Sequence, residues 1–420
     1  MVKHILWLIL VFGLIAQQAA LEFLGVHLGP GWEALVPGLA IFGAAFVLSW
    51  AAELAQTEIP QALALAFLAL IAVVPEYAVD IYFAWTAGSD PKYIHYATAN
   101  MTGANRLLIG LGWPVVLFAY YFATRKKEIQ LEPSHRIELF ALLAATFYSF
   151  FIPFKGNIAI YDSIVLLVIF VFYIIAAGRM HHEEPELEGP VEVFSRGSRL
   201  YRCIITIAFF ALSGYTIYIS AEPFAEGLLA SGKAWGVNEF ILVQWLAPLA
   251  SESPEFIVAI IFATRAMAGA SLGTLISSKV NQWTLLIASL PIAFALGGGD
   301  ILGMTLDNMQ KEEIFLTAAQ SLFAIFVLSN FRFSMLEALV LVVLFSTQLM
   351  IPLIMPSLLP NMPAEQLQDV EIKARLGYGG FYIALSILMI MLSHNRRNAL
   401  KYLIRPGNSN CPVGPPGGKE

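Results

Sequence analysis

Ala72-Val73-Val74-Pro75-Glu76-Tyr77-Ala78-Val79-Asp80 and Ala250-Ser251-Glu252-Ser253-Pro254-Glu255-Phe256-Ile257-Val258 are the two stretches on which the reading of this chain turns. Each interrupts a long apolar run with a proline and sets a carboxylate directly after it. A charge at bilayer depth costs several kcal/mol, so a carboxylate there is by default a functional-site hypothesis. The same device used twice, at Pro75-Glu76 and at Pro254-Glu255, predicts a duplicated transporter core.

Composition sets the class. Hydrophobic residues make up 58% of the chain and charged residues 13%, with a mean hydropathy of +0.72. No soluble domain of 420 residues needs that for its core. The fold expected is an all-α polytopic membrane protein with about 12 spans, each near the ~20 residues a crossing helix requires. The apolar segments fall at roughly 4–24, 34–52, 61–87, 94–122, 137–153, 159–178, 201–221, 237–264, 270–296, 314–329, 334–357 and 376–394. Lys3 ahead of Ile5–Ala20 also fits a signal peptide, but no small-residue cleavage site precedes a soluble domain. Cys203 and Cys411 lie far apart and argue for neither a disulfide framework nor a metal site. No basic stripe with interleaved aromatics is present, so nucleic acid is not an expected partner.

Orientation follows from the basic residues, which are retained on the cytoplasmic side. With a cytoplasmic N-terminus, the inner loops and tails collect most of them, including Arg125, Lys126, Lys127, Arg196, Arg199 and Arg202. The outer loops hold Lys92, Lys155, Lys233, Lys311, Lys373 and Arg375. Both termini are therefore expected inside, and the short loops favour a prokaryotic plasma membrane. Arg106 and Lys279 are left over, each opening an apolar run just after a motif.

One long polar connection, 180–198, divides the chain. Its His181-His182-Glu183-Glu184 invites a metal-sensing reading, while the absence of ligand spacing beyond adjacency favours a solvated cytoplasmic linker. The expected organisation is an extra N-terminal helix in 1–30, a first repeat in 31–179, a second in 199–357, and an extra C-terminal helix with a tail in 358–420. Five spans is an odd number, so repeats of five must lie in opposite membrane orientations.

Each proline motif is followed by a helix of small residues. The first reads Ala97-Thr98-Ala99-Asn100-Met101-Thr102-Gly103-Ala104-Asn105-Arg106, the second Ser271-Leu272-Gly273-Thr274-Leu275-Ile276-Ser277-Ser278-Lys279-Val280-Asn281. A carboxylate after proline, then a helix carrying Asn-x-x-Gly-x-Asn, resembles the paired alpha repeats of the sodium/calcium exchanger (cation/calcium antiporter) superfamily, over about residues 34–357. The resemblance implies a ten-helix core around a midplane cation site, with ion-binding positions at Glu76, Glu255, Asn105 and Ser251. The chain also departs from the pattern. Ile71-Ala72-Val73 stands where the family has Gly-Thr-Ser, and Glu252 takes a Ser slot. Lys279 occupies the amide position matching Asn105, with Asn281 as the competing register.

The chemistry can be argued from the residues alone. A proline frees backbone carbonyls that can face a cation, and calcium takes six to eight oxygens with carboxylates supplying most of the charge. Glu76 and Asp80 are four apart and Glu252 and Glu255 three apart, so each pair is expected on one helical face. These four carboxylates against Lys279 and Arg106 leave a formal −2, enough for one divalent ion, two monovalent ions or protons. Structural readings stand beside this. Pro-Glu also starts ordinary helices, Asp80 could pair with Arg106 or Lys279, and Asn100, Gly103 and Ser277 suit helix packing. Glu337, Asp162 and Arg332 fall near segment ends, where interfacial placement is ordinary.

The function expected is secondary active cation antiport, moving calcium or sodium by alternating access. The alternative is a proton-coupled sodium or other cation/proton exchanger of the same fold, with Lys279 as a built-in counter-ion. Inorganic cations and the lipid bilayer are the expected partners, no cofactor is implied, and the oligomeric state is not legible. A channel would need a polar stripe along a helix. A membrane hydrolase would need a nucleophile with a base, and all seven His fall at loops or ends. The sequence thus makes a sharp demand of its two motif acids: Glu76→Gln and Glu255→Gln should each abolish exchange in liposomes while insertion and expression stay normal. Normal flux from either variant would remove the assignment.

Overall fold

The computed structural model describes residues 2–26, 28–29, 31–56, 74–179 and 190–404. Ile71-Ala72-Val73, the first half of the 61–87 segment, His181 to Glu186 of the connection and Cys411 lie outside the described residues.

Helices dominate what is described. In chain order they are α1 (Val2–Leu24), α2 (Trp32–Gln56), α3 (Val74–Ala87), α4 (Tyr93–Leu107), α5 (Trp113–Thr124), α6 (Arg136–Ser149), α7 (Phe151–Lys155), α8 (Ile160–Ala177) and α9 (Val191–Ser195). After these come α10 (Arg199–Trp235), α11 (Glu239–Thr264), α12 (Ala268–Asn281), α13 (Ile287–Leu296), α14 (Asn308–Leu328), α15 (Met335–Leu358), α16 (Ala364–Leu392) and α17 (His394–Ile404). Four short strands sit between them: β1 (Glu128–Gln130), β2 (Asn157–Ile158), β3 (Met304–Thr305) and β4 (Arg332–Ser334).

Among the described residues nine helical segments are long and apolar enough to cross a membrane, or ten if Glu239–Ser253 and Glu255–Thr264 form one broken span. The protein is thus an all-α polytopic membrane protein, and the expected count of about 12 is not confirmed among the described residues. Of the expected segments, 61–87 lies partly outside the described residues, and α14 carries Lys311, Glu312 and Glu313 in its first turns.

The chain forms two compact units, and both draw on each half of the sequence. One comprises Met1–Ala104, Ile174–Pro254 and Ser289–Ile301, the other Asn105–Tyr173, Glu255–Ala288 and Leu302–Glu420. In the first unit α10 lies along α2, with Ala44, Leu48, Ala52 and Ile217 packed in the seam. There Gly103 of α4 crosses α11 so closely that an added Cβ would meet the Gln244 carbonyl oxygen at 1.8 Å. The packing role expected for Gly103 is therefore what the structure shows.

In the second unit the strands reveal how the halves are related. β1 pairs antiparallel with β4, Ile129 opposite Phe333, and β2 pairs with β3, Ile158 opposite Met304. Helices α6 and α7 run from β1 to β2, and α14 runs from β3 to β4. The pairing therefore puts the start of α6 beside the end of α14, so these corresponding helices of the two halves run in opposite directions. That is the relation an inverted repeat requires.

One expectation about charged residues changes: Arg375 is no loop residue, but lies within α16 and is 5% exposed. Asp162, in the first turn of α8, is fully buried and accepts from Lys155, from the Ala159 N–H at 2.7 Å and from the Tyr148 hydroxyl at 2.5 Å. Glu337 instead closes a capping box with Ser334 and pairs with Arg396, and Arg332 stays half-exposed 3.6 Å from Glu128.

The crossing at Gly103 can be tested directly. Gly103→Val forces a side chain against a backbone carbonyl, an overpacking worth about 1–3 kcal/mol. The unfolding temperature in detergent should fall by several degrees, and an unchanged value would contradict so close an approach.

Candidate cation site

In the first unit, Glu76 and Asp80 head the buried stripe of α3, which continues through Val79, Phe83, Ala84 and Ala87. That stripe has helical spacing, so the two acids share one face as their four-residue separation requires. Glu76 is 3% exposed and Asp80 fully buried. Glu252 on α11 is also buried, and it interacts electrostatically with Asp80. Tyr77 feels the charges of Glu76, Asp80 and Glu252 together. Three of the four predicted carboxylates thus gather within this unit.

Hydroxyl groups near them are mostly committed elsewhere. Thr98 and Thr102 donate back to the Ile94 and Thr98 carbonyls at 2.9 and 2.7 Å, and Ser251 to the Ala247 carbonyl at 3.2 Å. The lone pairs of Ser251 remain able to accept or ligate. Asn100 is buried and lies within electrostatic reach of Asp80. Yet neither the Asp80 carboxylate nor the Asn100 amide completes a hydrogen bond of ordinary geometry among the described residues.

Glu255 belongs to the second unit and is half-buried. The break between Ser253 and Glu255 means that a three-residue spacing no longer fixes a face shared with Glu252. The side chain of Pro254 is outside the described residues.

Also in the second unit, Lys279 is fully buried and donates to Asn105 Oδ1 at 2.6 Å and to the Asn105 carbonyl at 3.1 Å. Its Nζ lies 4.6 Å from the centre of the Trp283 ring, a cation–π distance. A π-helical turn, Leu108–Gly112, follows α4, and another, Gln282–Leu286, follows α12. The two turns share the 174-residue separation of Asn105 and Lys279. This equivalence matches Lys279, rather than Asn281, to Asn105. The π turns had no sequence signal.

Arg106, expected against the motif carboxylates, pairs with Glu313 instead. Arg375 binds Glu313 as well and reaches Glu312 at 2.9 Å. The sequence reading missed Glu312 and Glu313 because drawing segment boundaries at 314 and 376 cut off the charges just before them. Ser277, expected only to permit packing, hydrogen-bonds Glu138 at 3.3 Å and accepts from Tyr173 at 3.1 Å. Among the described residues no group of three or more His, Cys, Asp or Glu side chains is arranged as a metal site.

The sodium/calcium exchanger protein family model matches residues 33–178 and 205–354. The chain belongs to this family. It is 40% identical to a protein solved as "Crystal Structure of H+/Ca2+ Exchanger CAX", over 96% of this chain and 97% of that one, with a TM-score of 0.87. It shares the fold of YfkE, at 15% identity over 82% of this chain and 98% of that one and a TM-score of 0.60. The sodium-calcium exchanger NCX_Mj is similar at 16% identity over 75% and 96%, with a TM-score of 0.50. A search of the curated proteins returns no match. This family member is an integral membrane cation antiporter of the sodium/calcium exchanger fold.

Proposed function

We propose that this antiporter exchanges calcium for protons, with Glu76, Glu255, Asn105, Glu252, Asp80 and Ser251 as cation ligands and Lys279 as counter-ion. The observation that carries the reading is the grip of the Lys279 ammonium on both oxygens of Asn105. A cation using that amide must displace Lys279, and an ammonium, unlike a guanidinium, can leave by losing its proton. Cation entry and proton release are then two sides of one exchange. The 40% identity to the H+/Ca2+ exchanger CAX supports the same pair of ions.

The repeats proposed are 31–179 and 199–357, supported by family matches at 33–178 and 205–354 that fall inside them. The connection 180–198 is assigned to the cytoplasm with both termini, in a prokaryotic plasma membrane, on the distribution of basic residues.

Purified protein in liposomes should take up calcium when driven by a pH gradient and not by a sodium gradient. Sodium-driven calcium flux without proton movement would replace this reading by sodium/calcium exchange. Replacing Lys279 by Asn removes the competitor, so calcium affinity should rise roughly tenfold and its pH dependence flatten. A variant with wild-type affinity and pH profile would eliminate the counter-ion role.

Topology has its own test. Arg196 and Lys233 are both exposed, whereas Ser231 on the same outer connection is buried. In a background without Cys203 and Cys411, Lys233→Cys should react with an impermeant thiol reagent on intact cells and Arg196→Cys should not. The reverse pattern inverts the orientation.

A further inference from the structure

Arg375 sits on α16, beyond the segments that the family model matches. One guanidinium nitrogen donates to Glu312 at 2.9 Å and to Glu313, and the other reaches Glu371 at 3.4 Å. Glu313 in turn holds Arg106. Arg106, Glu312, Glu313 and Arg375 are each no more than 5% exposed. Every charge in this buried cluster faces an opposite one. What it supplies is fixed geometry, because charge-assisted hydrogen bonds are strong and directional in a dry interior.

The geometry it fixes is that of Arg106, the residue next to Asn105. A π turn follows at Leu108–Gly112, and side chains bind the carbonyls just ahead of it. Lys279 donates to the Asn105 carbonyl at 3.1 Å, Gln320 to the Arg106 carbonyl at 3.3 Å, and Gln348 to Gln320 at 3.0 Å. With both carbonyls engaged and the Arg106 side chain anchored on Glu313, the rotation of this helical turn is set. The direction of the Asn105 amide is set with it.

We infer that Arg375 is a positioning residue for transport: through Glu313 and Arg106 it orients the Asn105 amide, so the C-terminal helix α16 tunes cation affinity. The inference rests on Asn105 being a ligand, as proposed above. Arg375 spreads its two terminal nitrogens over three carboxylates, one on Glu312 and Glu313 and the other on Glu371, a task to which the lysine point charge is poorly suited.

Three variants test it in liposomes: Arg375→Lys, Arg375→Met, and Arg375→Met combined with Glu312→Gln, which removes one charge of each sign. KM and kcat for calcium are measured across pH, with folded yield and unfolding temperature as controls. Arg375→Met should raise KM roughly tenfold and shift the pH profile, and Arg375→Lys should recover part of the loss. The double variant should fold like the wild type and still show the raised KM, because Glu313 has lost its tether to α16. If it folds with wild-type KM and pH profile, Arg375 is only structural and the inference fails, whatever the single variant does. Should the wild type carry no calcium, the calcium reading fails on its own, and the same KM comparison on the cation it does carry decides the role of Arg375.

Discussion

A full charge kept inside an apolar span must be met by an opposite charge or by polar ligands, and this requirement organises the protein from its first motif to its last helices. It is met in several places by closed sets of partners. Lys155, a backbone N–H and Tyr148 surround Asp162. Arg106, Glu313, Arg375 and Glu312 close on one another. Arg396 of α17 binds the Phe326 and Val327 carbonyls at the end of α14 and also pairs with Glu337. Asp80 is the contrast, a fully buried carboxylate with no completed hydrogen bond among the described residues. Satisfied charge builds the fold, and Asp80 stands apart from it among the acids of the proposed site.

The backbone is interrupted beside the same residues. α11 bends by 56° between Glu239–Ser253 and Glu255–Thr264, and π turns follow Asn105 and Lys279 within a few residues. Each interruption releases backbone groups that an unbroken helix would consume, and inside a membrane those groups must find side chains or ions.

The second unit also explains why a repeat so weak in sequence remains a repeat in space. Strand pairs of two or three residues tie β1 to β4 and β2 to β3, each strand of one half to one of the other. Backbone pairing of this kind carries little side-chain information, so Lys279 could depart from the family pattern without loss of these strand pairs.

Much was legible in the chain itself. Hydropathy alone identifies a polytopic helical protein, because a span needs a long apolar run whatever it packs against. The doubled Pro-Glu marks the family, because a breaker and a charge in such a run have few uses other than binding. The small-residue pattern around Gly103 announces a close crossing, which the Gln244 backbone confirms. Tertiary structure alone decided which charges meet. Arg106 looked like a partner of the motif carboxylates and proved to belong to Glu313, while Arg375 looked like a loop residue and proved to be buried beside it. Helical periodicity tells which residues share a face, but not which face of another helix they meet. Ion pairs between residues as distant as 106 and 313 form only once packing has chosen the neighbours. The small-residue pattern already set Lys279 against Asn105, and two π turns that leave no mark in the sequence decide that register over Asn281.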